Sequence, residues 1–202
     1  MTARTVLQQA DIARALTRIS HEILESNRGT DDLVILGIPT RGVVLARRIA
    51  ENIQRIEPQT VASPDDIVGA LDVTMYRDDL SRNPTRAPQP TALPGPIDGR
   101  TVVLVDDVLF SGRTIRAALD ALSDLGRPRA VRLAVLVDRG HRELPIRADF
   151  VGKNLPSAAS ERIFVRLDEV DGEESVTIEE PGTTAGPGTT AGPGTTDDGG
   201  RA

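Results

Sequence analysis

The sequence predicts an α/β fold in which helices flank a central, mostly parallel sheet. Three short apolar runs begin at Leu33, Thr101 and Ala130, and their β-branched residues serve both faces, as in buried parallel strands. Apolar residues at helical spacing lie between these runs, so strands and helices alternate along the chain. Such alternation is typical of one parallel sheet covered by helices on both faces.

Length and composition favour one domain. The chain has 202 residues, and we assign residues 1–180 to a single folded unit. It has no Cys, which excludes disulfides, thiolate catalysis and a zinc-thiolate site. The N-terminus lacks the apolar core of a signal peptide, and no apolar run approaches membrane-spanning length. We therefore expect a cytoplasmic protein with no membrane partner.

Charge is divided unevenly along the chain. The formal net charge is −6, but residues 168–202 carry nine acids and one Arg, so residues 1–167 have a net charge of +2. A basic patch on the folded part is therefore permitted. Residues 181–202 repeat Gly-Thr-Thr-Ala-Gly-Pro, a composition that cannot bury enough apolar surface to offset chain entropy. We predict that this tail is disordered.

The first predicted helix runs from about Gln8 to Asn27. Its apolar face includes Ile12 and Ile23, and its opposite face carries several Arg residues and His21. The basic face is either an ordinary solvated surface or a contact surface for phosphates. The helix alone does not distinguish these alternatives.

A second strand, turn and helix follow. The strand is predicted at Leu33 to Ile38, the turn is Pro39 to Gly42, and the helix continues through Ile56. In this turn Thr40 and Arg41 offer backbone donors and a guanidinium suited to phosphate. The alternative is that Pro39 and Gly42 only shape a turn.

A long polar stretch follows a strand predicted at Ile67 to Thr74. It occupies about residues 75–99 and includes five prolines between Pro84 and Pro96. A segment of this length without periodicity is either a functional lid or disordered. We predict a mobile lid loop, because the segment lies between two core strands.

The stretch from Thr101 to Thr114 carries the strongest signal. Thr101 to Val105 predicts a buried strand, which is followed by Asp106, Asp107 and a small polar turn before a helix that begins near Arg113. Open α/β sheets bind ligands at the carboxyl ends of strands, and a helix start attracts anions. Carboxylates there suit a ligand that also has hydroxyls, although the two acids could merely lead into the next helix.

The C-terminal part of the domain is predicted to complete the sheet and cover the site. Ala130 to Val137 reads as another buried strand, and about residues 138–160 form a small hood without helix. Ile163 to Leu167 and Ser175 to Ile178 are predicted closing strands. No Walker loop and no G-x-G-x-x-G occurs in the chain.

Thr101 to Thr114 resembles the 5-phosphoribosyl 1-pyrophosphate (PRPP) signature of type I phosphoribosyltransferases. The resemblance implies that fold, with a ribose site at the acid pair and a 5′-phosphate site in the turn that follows. It implies a pyrophosphate site at Thr40 and Arg41, with a cis peptide in that turn. It also implies a lid that brings Arg77 to the pyrophosphate. It implies catalytic roles for Arg41, Arg77, Asp106 and Asp107. It implies substrate contacts from Thr40, Arg41, Arg77, Asp106, Asp107, Val108, Leu109, Phe110, Ser111, Gly112, Arg113, Thr114 and Arg139.

A narrower resemblance covers Gln8 to about Glu179. Stretches 15–22, 37–42, 71–80 and 137–150 are similar to the bifunctional pyrimidine-operon regulator and uracil phosphoribosyltransferase family. The resemblance implies synthesis of UMP and pyrophosphate from uracil and PRPP, with Mg²⁺ arriving on the substrate and no metal ligand set of the protein's own. Phe110 favours this reading, because hypoxanthine-guanine enzymes of the fold place an Asp there. A plain phosphoribosyltransferase for uracil or another pyrimidine, such as orotate, stays open.

The same resemblance implies partners beyond the small substrates. It predicts a homodimer or larger homo-oligomer that binds pyrimidine-gene (pyr) leader messenger RNA in a UMP-dependent manner. The positions that match the RNA-binding residues of the family are Thr17, His21, Arg142, Arg147 and Lys153.

Overall fold

The computed structural model describes residues 3–77 and 90–180. The predicted tail at 181–202 and the central part of the predicted lid, residues 78–89, lie outside these described residues. In chain order the helices and strands are β1 (Ala3–Gln8), α1 (Gln9–Asn27), β2 (Leu33–Gly37), α2 (Arg41–Ile56), β3 (Val68–Ala70), β4 (Thr101–Leu109), α3 (Arg113–Leu125), β5 (Ala130–Asp138), β6 (Phe150–Asn154), β7 (Arg162–Arg166), α4 (Asp168–Asp171) and β8 (Ser175–Glu179).

Five parallel strands form the central sheet in the order β3-β2-β4-β5-β6, which confirms the predicted fold class. Helices α1 and α2 pack against one face, where Ile12, Ile19 and Ile49 are fully buried. Helix α3 covers the other face through Ile115, Ala118 and its neighbours. The two covered faces explain why these strands are apolar on both sides.

Strand β4 is longer than the sequence predicted. The expected end was Val105, but the strand continues to Leu109 and takes Asp106 and Asp107 into the sheet. The reason is the neighbouring strand β5, which is equally long and pairs with β4 as far as Leu109 and Asp138. The two carboxylates therefore stand on a hydrogen-bonded strand instead of a loop.

A second, three-stranded antiparallel sheet has the order β1-β8-β7. The predicted closing strands are β7 and β8, but they build this separate sheet, and β1 was not predicted. Its inner residues Leu7, Val165 and Val176 belong to the same apolar cluster as α1 and α2. The small sheet is thus fastened to the helical face of the central one.

Two other segments differ from their predictions. The hood contains β6, which pairs in parallel with β5 at the edge of the central sheet. The strand expected at 67–74 stops at Ala70, because its partner β2 ends at Gly37, and Thr74–Tyr76 forms a 3₁₀ turn. Within the parts described, no helix has both the length and the apolar character that a membrane crossing requires.

The return half of the predicted lid packs against the sheet. Ala92 forms an antiparallel bridge with Ala70, with N–H to O distances of 2.8 and 2.9 Å. Ile97 is fully buried among the residues that pack under α3. These contacts hold residues 92–99 against the body of the domain, although they fall in the segment predicted to be a lid.

Candidate active site

The two acids of β4 stand at the carboxyl end of the central strand. Asp106 is only 8% exposed and Asp107 is half-buried. The Asp107 N–H donates to Asp106 Oδ1 at 2.9 Å, and the Val108 N–H donates to Asp107 Oδ1 at 2.8 Å. Each carboxylate is therefore oriented by the backbone that follows it. Ionised carboxylates accept hydrogen bonds only, which suits them to ligand hydroxyls.

The Ser111–Thr114 turn, which we call the phosphate turn after its predicted role, forms the floor of a cleft beside these acids. Gly112 has φ +93°, and a Cβ there would approach Ile146 to 3.3 Å, so the turn requires glycine. Helix α3 begins at Arg113, directly after the turn, and directs its first N–H groups and dipole toward the cleft. The cleft has a volume of about 230 Å³ and is lined by Arg77, Asp106 and residues 108–115.

Arg77 reaches this cleft from the base of the predicted lid. Its guanidinium NH1 lies 3.3 Å from Thr114 Oγ1, so the structure brings Arg77 to the phosphate turn. The neighbouring Tyr76 hydroxyl donates to Asp124 Oδ2 at 2.7 Å, and this hydrogen bond raises the pKa of Tyr76. Tyr76 thus anchors the base of the lid to α3.

The turn after β2 packs tightly against β4. The peptide bond between Pro39 and Thr40 is cis, within the turn where the resemblance implied one. A Cβ on Gly42 would lie 2.4 Å from the carbonyl oxygen of Val105, and a Cβ on Gly37 would lie 2.4 Å from the carbonyl oxygen of Gly42. Gly42 is therefore more than a turn residue, because it permits the close approach of the α2 start to the acid-bearing strand.

Arg41 is held by a residue that the sequence did not single out. Its Nε and NH2 donate to Asp171 Oδ2 and Oδ1, at 3.0 and 2.6 Å. This bidentate pair raises the pKa of Arg41 and lowers the pKa of the Asp171 carboxyl. Attraction from Asp107 makes a smaller contribution to the raised Arg41 pKa. The Arg41 guanidinium therefore lies near enough to Asp107 to be attracted by its carboxylate.

An aromatic and cationic group stands on the other side of the phosphate turn. Phe110 is 40% exposed, and the Arg139 guanidinium carbon lies 4.4 Å from its ring centroid. The His141 ring meets Phe110 edge to face at 6.2 Å. Arg139 is only 7% exposed, donates to Ser157 Oγ and the Ala158 carbonyl, and has a pKa lowered by burial. The sequence analysis did not predict His141 and Ser157 as site residues. The Arg-Gly-His-Arg turn at 139–142 could have indicated His141.

Arg142 fastens the hood to the phosphate turn. Its guanidinium donates to the Asp138 carboxylate and to the carbonyl oxygens of Leu109, Phe110, Gly140 and Ile146. All of these acceptors belong to this chain, at the end of β4 or in the hood. The structure thus places Arg142 in a structural network.

Further contacts tie the same two segments together. The N–H groups of Glu143 and Leu144 donate to the Ser111 carbonyl oxygen at 3.0 and 3.2 Å. The Glu143 carboxylate pairs with Arg113 at 2.7 Å. The hood and the phosphate turn therefore behave as one packed unit.

Thr17, His21 and Lys153, which are predicted to bind RNA, lie close to a common seam between α1 and β6. Thr17 and His21 are exposed on α1. Arg18 lies between them and donates from NH2 to the carbonyl oxygens of Val151 and Gly152, both at 2.8 Å. Lys153 follows directly in β6 and is exposed, and Arg147 is exposed on the segment that leads into β6.

Comparison with known proteins gives consistent results. A model of the phosphoribosyl transferase domain matches residues 2–167. The chain is 87% identical over 180 residues to the bifunctional protein PyrR of Leifsonia xyli subsp. xyli, covering 89% of this chain and 98% of that protein. It is 64% identical over 177 residues to the bifunctional protein PyrR of Streptomyces coelicolor, covering 87% of this chain and 89% of that protein.

Solved structures with a similar fold are more distant in sequence. A hypoxanthine-guanine phosphoribosyltransferase of Bacillus anthracis superposes with a TM-score of 0.65 at 17% identity, covering 86% of this chain and 96% of that one. A hypoxanthine phosphoribosyltransferase of Trypanosoma cruzi superposes with a TM-score of 0.64 at 15% identity, covering 89% and 97%. At these identities the likeness establishes the fold alone.

Proposed function

Because this chain belongs to the family of bifunctional PyrR proteins, we propose that its cleft joins uracil to PRPP and releases UMP and pyrophosphate. The family combines uracil phosphoribosyltransferase activity with regulation of pyrimidine genes. The observation that carries the proposal is the acid pair on β4 beside the phosphate turn and the start of α3.

The proposed ribose and phosphate contacts follow from this arrangement. Asp106 and Asp107 accept hydrogen bonds from the two ribose hydroxyls. Residues Ser111–Thr114 wrap the 5′-phosphate with backbone N–H groups and hydroxyls, assisted by the positive end of the α3 dipole. Because both contacts come from one strand and the helix that follows it, the ribose is held in a fixed orientation toward the base.

The pyrophosphate is proposed to lie between two arginines. Arg77 approaches from the base of the lid, and Arg41 stands at the start of α2, with the Thr40 backbone beside it. As the bond between ribose and pyrophosphate breaks, negative charge gathers on the leaving group and positive charge on the ribose carbon. Fixed guanidinium groups stabilise the former, which lowers the barrier.

The nucleobase is proposed to occupy the side that carries Phe110 and Arg139. An exposed aromatic face offers a stacking surface to a flat base, and the strand end at Val108 and Leu109 closes the inner side. The position of Phe110 holds a carboxylate in the hypoxanthine-guanine enzymes that the sequence resembles less. An apolar ring in its place favours uracil, which needs to be positioned and to lose its N1 proton.

Magnesium is proposed to enter with PRPP. Within residues 3–77 and 90–180, no group of three or more His, Cys, Asp or Glu residues could hold an ion by itself. The oxygen donors of Asp106 and Asp107 are of the type that Mg²⁺ accepts, and this ion prefers phosphate oxygens and water for most of its ligands. When bound, it neutralises pyrophosphate charge.

The regulatory function is proposed to use the seam between α1 and β6. Thr17, His21 and Lys153 are exposed there, and Arg147 is exposed on the segment that leads into β6. The basic groups suit the phosphates of pyr leader messenger RNA. Arg142 joins this surface to the cleft, because its guanidinium donates both to the Phe110 carbonyl and to the Ile146 carbonyl, next to Arg147. Binding of UMP in the cleft tightens RNA binding through this connection, and coupling of this kind is reciprocal.

One pair of assays tests both activities. UMP formation is measured from PRPP and Mg²⁺ with uracil, orotate, hypoxanthine and guanine as separate acceptors, and turnover with uracil alone is expected. Binding to the organism's own pyr leader RNA is then measured with and without UMP against a scrambled RNA. Preference for orotate would overturn the assignment of the base, and equal binding of both RNAs would leave a plain phosphoribosyltransferase. The proposed homodimer or larger homo-oligomer is tested by light scattering on the purified chain.

A further inference from the structure

An acidic connection in the small sheet contacts Arg41, a predicted site residue, from a distant part of the sequence. Helix α4 and the residues after it, Asp168 to Glu174, join β7 to β8 and carry five carboxylates. Two of them, Glu169 and Glu174, bind Arg48 of α2 at 2.7 and 2.5 Å. A third, Asp171, binds Arg41, which directly follows the cis peptide. The connection is thus clamped along α2 at two successive points.

The geometry of the Arg41 contact leaves part of the guanidinium unused by Asp171. Asp171 takes Nε and NH2, which form one edge of the guanidinium. Within the described part of the chain, NH1 of Arg41 has no hydrogen-bond partner, and Asp107 attracts the same guanidinium electrostatically. A pyrophosphate beside the ribose acids would therefore meet the edge that Asp171 does not use.

Asp171 is itself held firmly. Its Oδ2 accepts from the Leu167 N–H at 2.9 Å, and its side chain is 19% exposed, against 31% for Arg41. The Arg48 pairs hold the connection from its other side, so the carboxylate cannot easily move away. An arginine that is fixed before substrate binds loses less conformational freedom on binding than a mobile one.

We propose that Asp171 is a positioning residue for phosphoribosyl transfer, which holds Arg41 so that its remaining edge binds the pyrophosphate of PRPP. This inference rests on the proposed function, since it needs a pyrophosphate at the start of α2. The opposite possibility, that Asp171 competes with pyrophosphate for Arg41, predicts the opposite change in KM. The two are separated by one substitution.

The experiment compares Asp171→Asn with Glu169→Gln in the full chain. Both remove one carboxylate charge from α4, but only the first alters the contact to Arg41, so Glu169→Gln controls for charge and for docking of the connection. Initial rates of UMP formation are measured over a range of PRPP at saturating uracil and Mg²⁺. Asp171→Asn is expected to lower kcat/KM for PRPP by about ten- to a hundredfold, with a raised KM for PRPP and an unchanged KM for uracil. Glu169→Gln is expected to leave the KM for PRPP unchanged.

A double substitution tests whether Asp171 acts through Arg41. If Asp171 acts through Arg41, then Arg41→Gln combined with Asp171→Asn should lose no more activity than Arg41→Gln alone. Additive losses, a lower KM for PRPP in Asp171→Asn, or an equal effect of Glu169→Gln would each overturn the proposal. Failure of the proposed function is seen separately, because the unsubstituted chain would then make no UMP. In that case calorimetric PRPP binding to the unsubstituted chain and Asp171→Asn still tests Asp171, and equal affinities would refute its role.

Discussion

Arg142 donates from NH1 to the carbonyl oxygen of Phe110 at 2.7 Å, which links the hood to the residue just before the phosphate turn. The same guanidinium holds the Ile146 carbonyl at 3.0 Å, one residue before the exposed Arg147. These two hydrogen bonds offer a route by which the proposed nucleotide binding would affect the segment that is proposed to contact RNA. Packed side chains and hydrogen-bond networks of this kind can carry coupling between two sites.

Replacing Arg142 by Met should weaken this link. The variant loses several hydrogen bonds from a charged, largely buried group, so we expect the free energy of unfolding to fall by about 2 kcal/mol. The tightening of RNA binding by UMP should shrink more than RNA binding in the absence of UMP. Both are measured by RNA titration with and without UMP, beside thermal unfolding. A destabilised Arg142→Met variant with an unchanged response to UMP would contradict this role.

Replacing Asp107 by Ala should reduce UMP synthesis far more than stability. The side chain is half-buried at a strand end, so the cost to folding is expected to stay at about 1 kcal/mol. Loss of a ribose contact should lower turnover by about a hundredfold. Rates at saturating PRPP and melting temperature are compared with those of Asp120→Ala, an exposed acid of α3 that pairs with Arg116. Full activity of the Asp107 variant would refute the ribose assignment.

Replacing Gly42 by Ala should damage both stability and turnover. A Cβ would lie 2.4 Å from the Val105 carbonyl oxygen and 3.3 Å from Asp106 Cα, so the turn must separate from β4. We expect a loss of about 1–3 kcal/mol from overpacking and a raised KM for PRPP. Gly95→Ala is the matched control, because its Cβ would approach nothing closer than 3.8 Å. Denaturant unfolding and initial rates give the two readings, and a Gly42 variant that behaves like the control would show that the turn tolerates displacement.

Replacing Arg147 by Gln should weaken binding to pyr leader RNA while UMP synthesis continues. Arg147 is exposed and forms no ion pair within the described residues. If it neutralises one RNA phosphate, the slope of log affinity against log salt should flatten by about one unit. Filter binding at several salt concentrations measures this slope. An affinity loss with an unchanged slope would indicate a role other than phosphate contact.

Acid should destabilise the link between α2 and α4. Contacts to Arg41 lower the pKa of Asp171 below its ordinary 3.8, and contacts to Arg48 lower the pKa of Glu169 below its ordinary 4.5. Carboxyls with lowered pKa in the folded state stabilise it above their unfolded pKa, and that stabilisation disappears as pH falls through the folded pKa. We therefore expect the free energy of unfolding to decline below about pH 4.5, and less steeply in a double variant, Asp171→Asn with Glu169→Gln. Equal acid dependence of the two chains would contradict this assignment.

Most of the central sheet and the turn at Ser111–Thr114 could be predicted from the sequence, because their patterns are local. Apolar runs and helical spacing identify β2, β4, β5 and α3 without knowledge of partners. Strand β6 was missed because an edge strand needs fewer apolar residues, and its neighbours are charged. Strand β1 was missed because its pairing partner β8 lies at the far end of the described chain.

Site residues, too, could be predicted from the sequence only where they are close together in the chain. Asp106, Asp107 and Ser111–Thr114 are contiguous, so their pattern was visible in one stretch. Asp171 is separated from Arg41 by 130 positions and sits among other acids, so only the fold distinguishes it from its neighbours. The pairing of Gly42 with the Val105 carbonyl likewise depends on how two strands are aligned.

The pairing of β1 with β8 also bears on the order in which the protein folds. Ala3 aligns with Glu179, so this sheet requires contact between residues near opposite ends of the described chain. Closing so long a loop is slow relative to the nearer pairings of the central sheet. We expect the small sheet to form last and to open first, which hydrogen exchange would detect as early loss of protection in β1 and β8. Because Asp171 lies between β7 and β8, a chain still emerging from the ribosome would complete the proposed pyrophosphate site only after β8 has been synthesised.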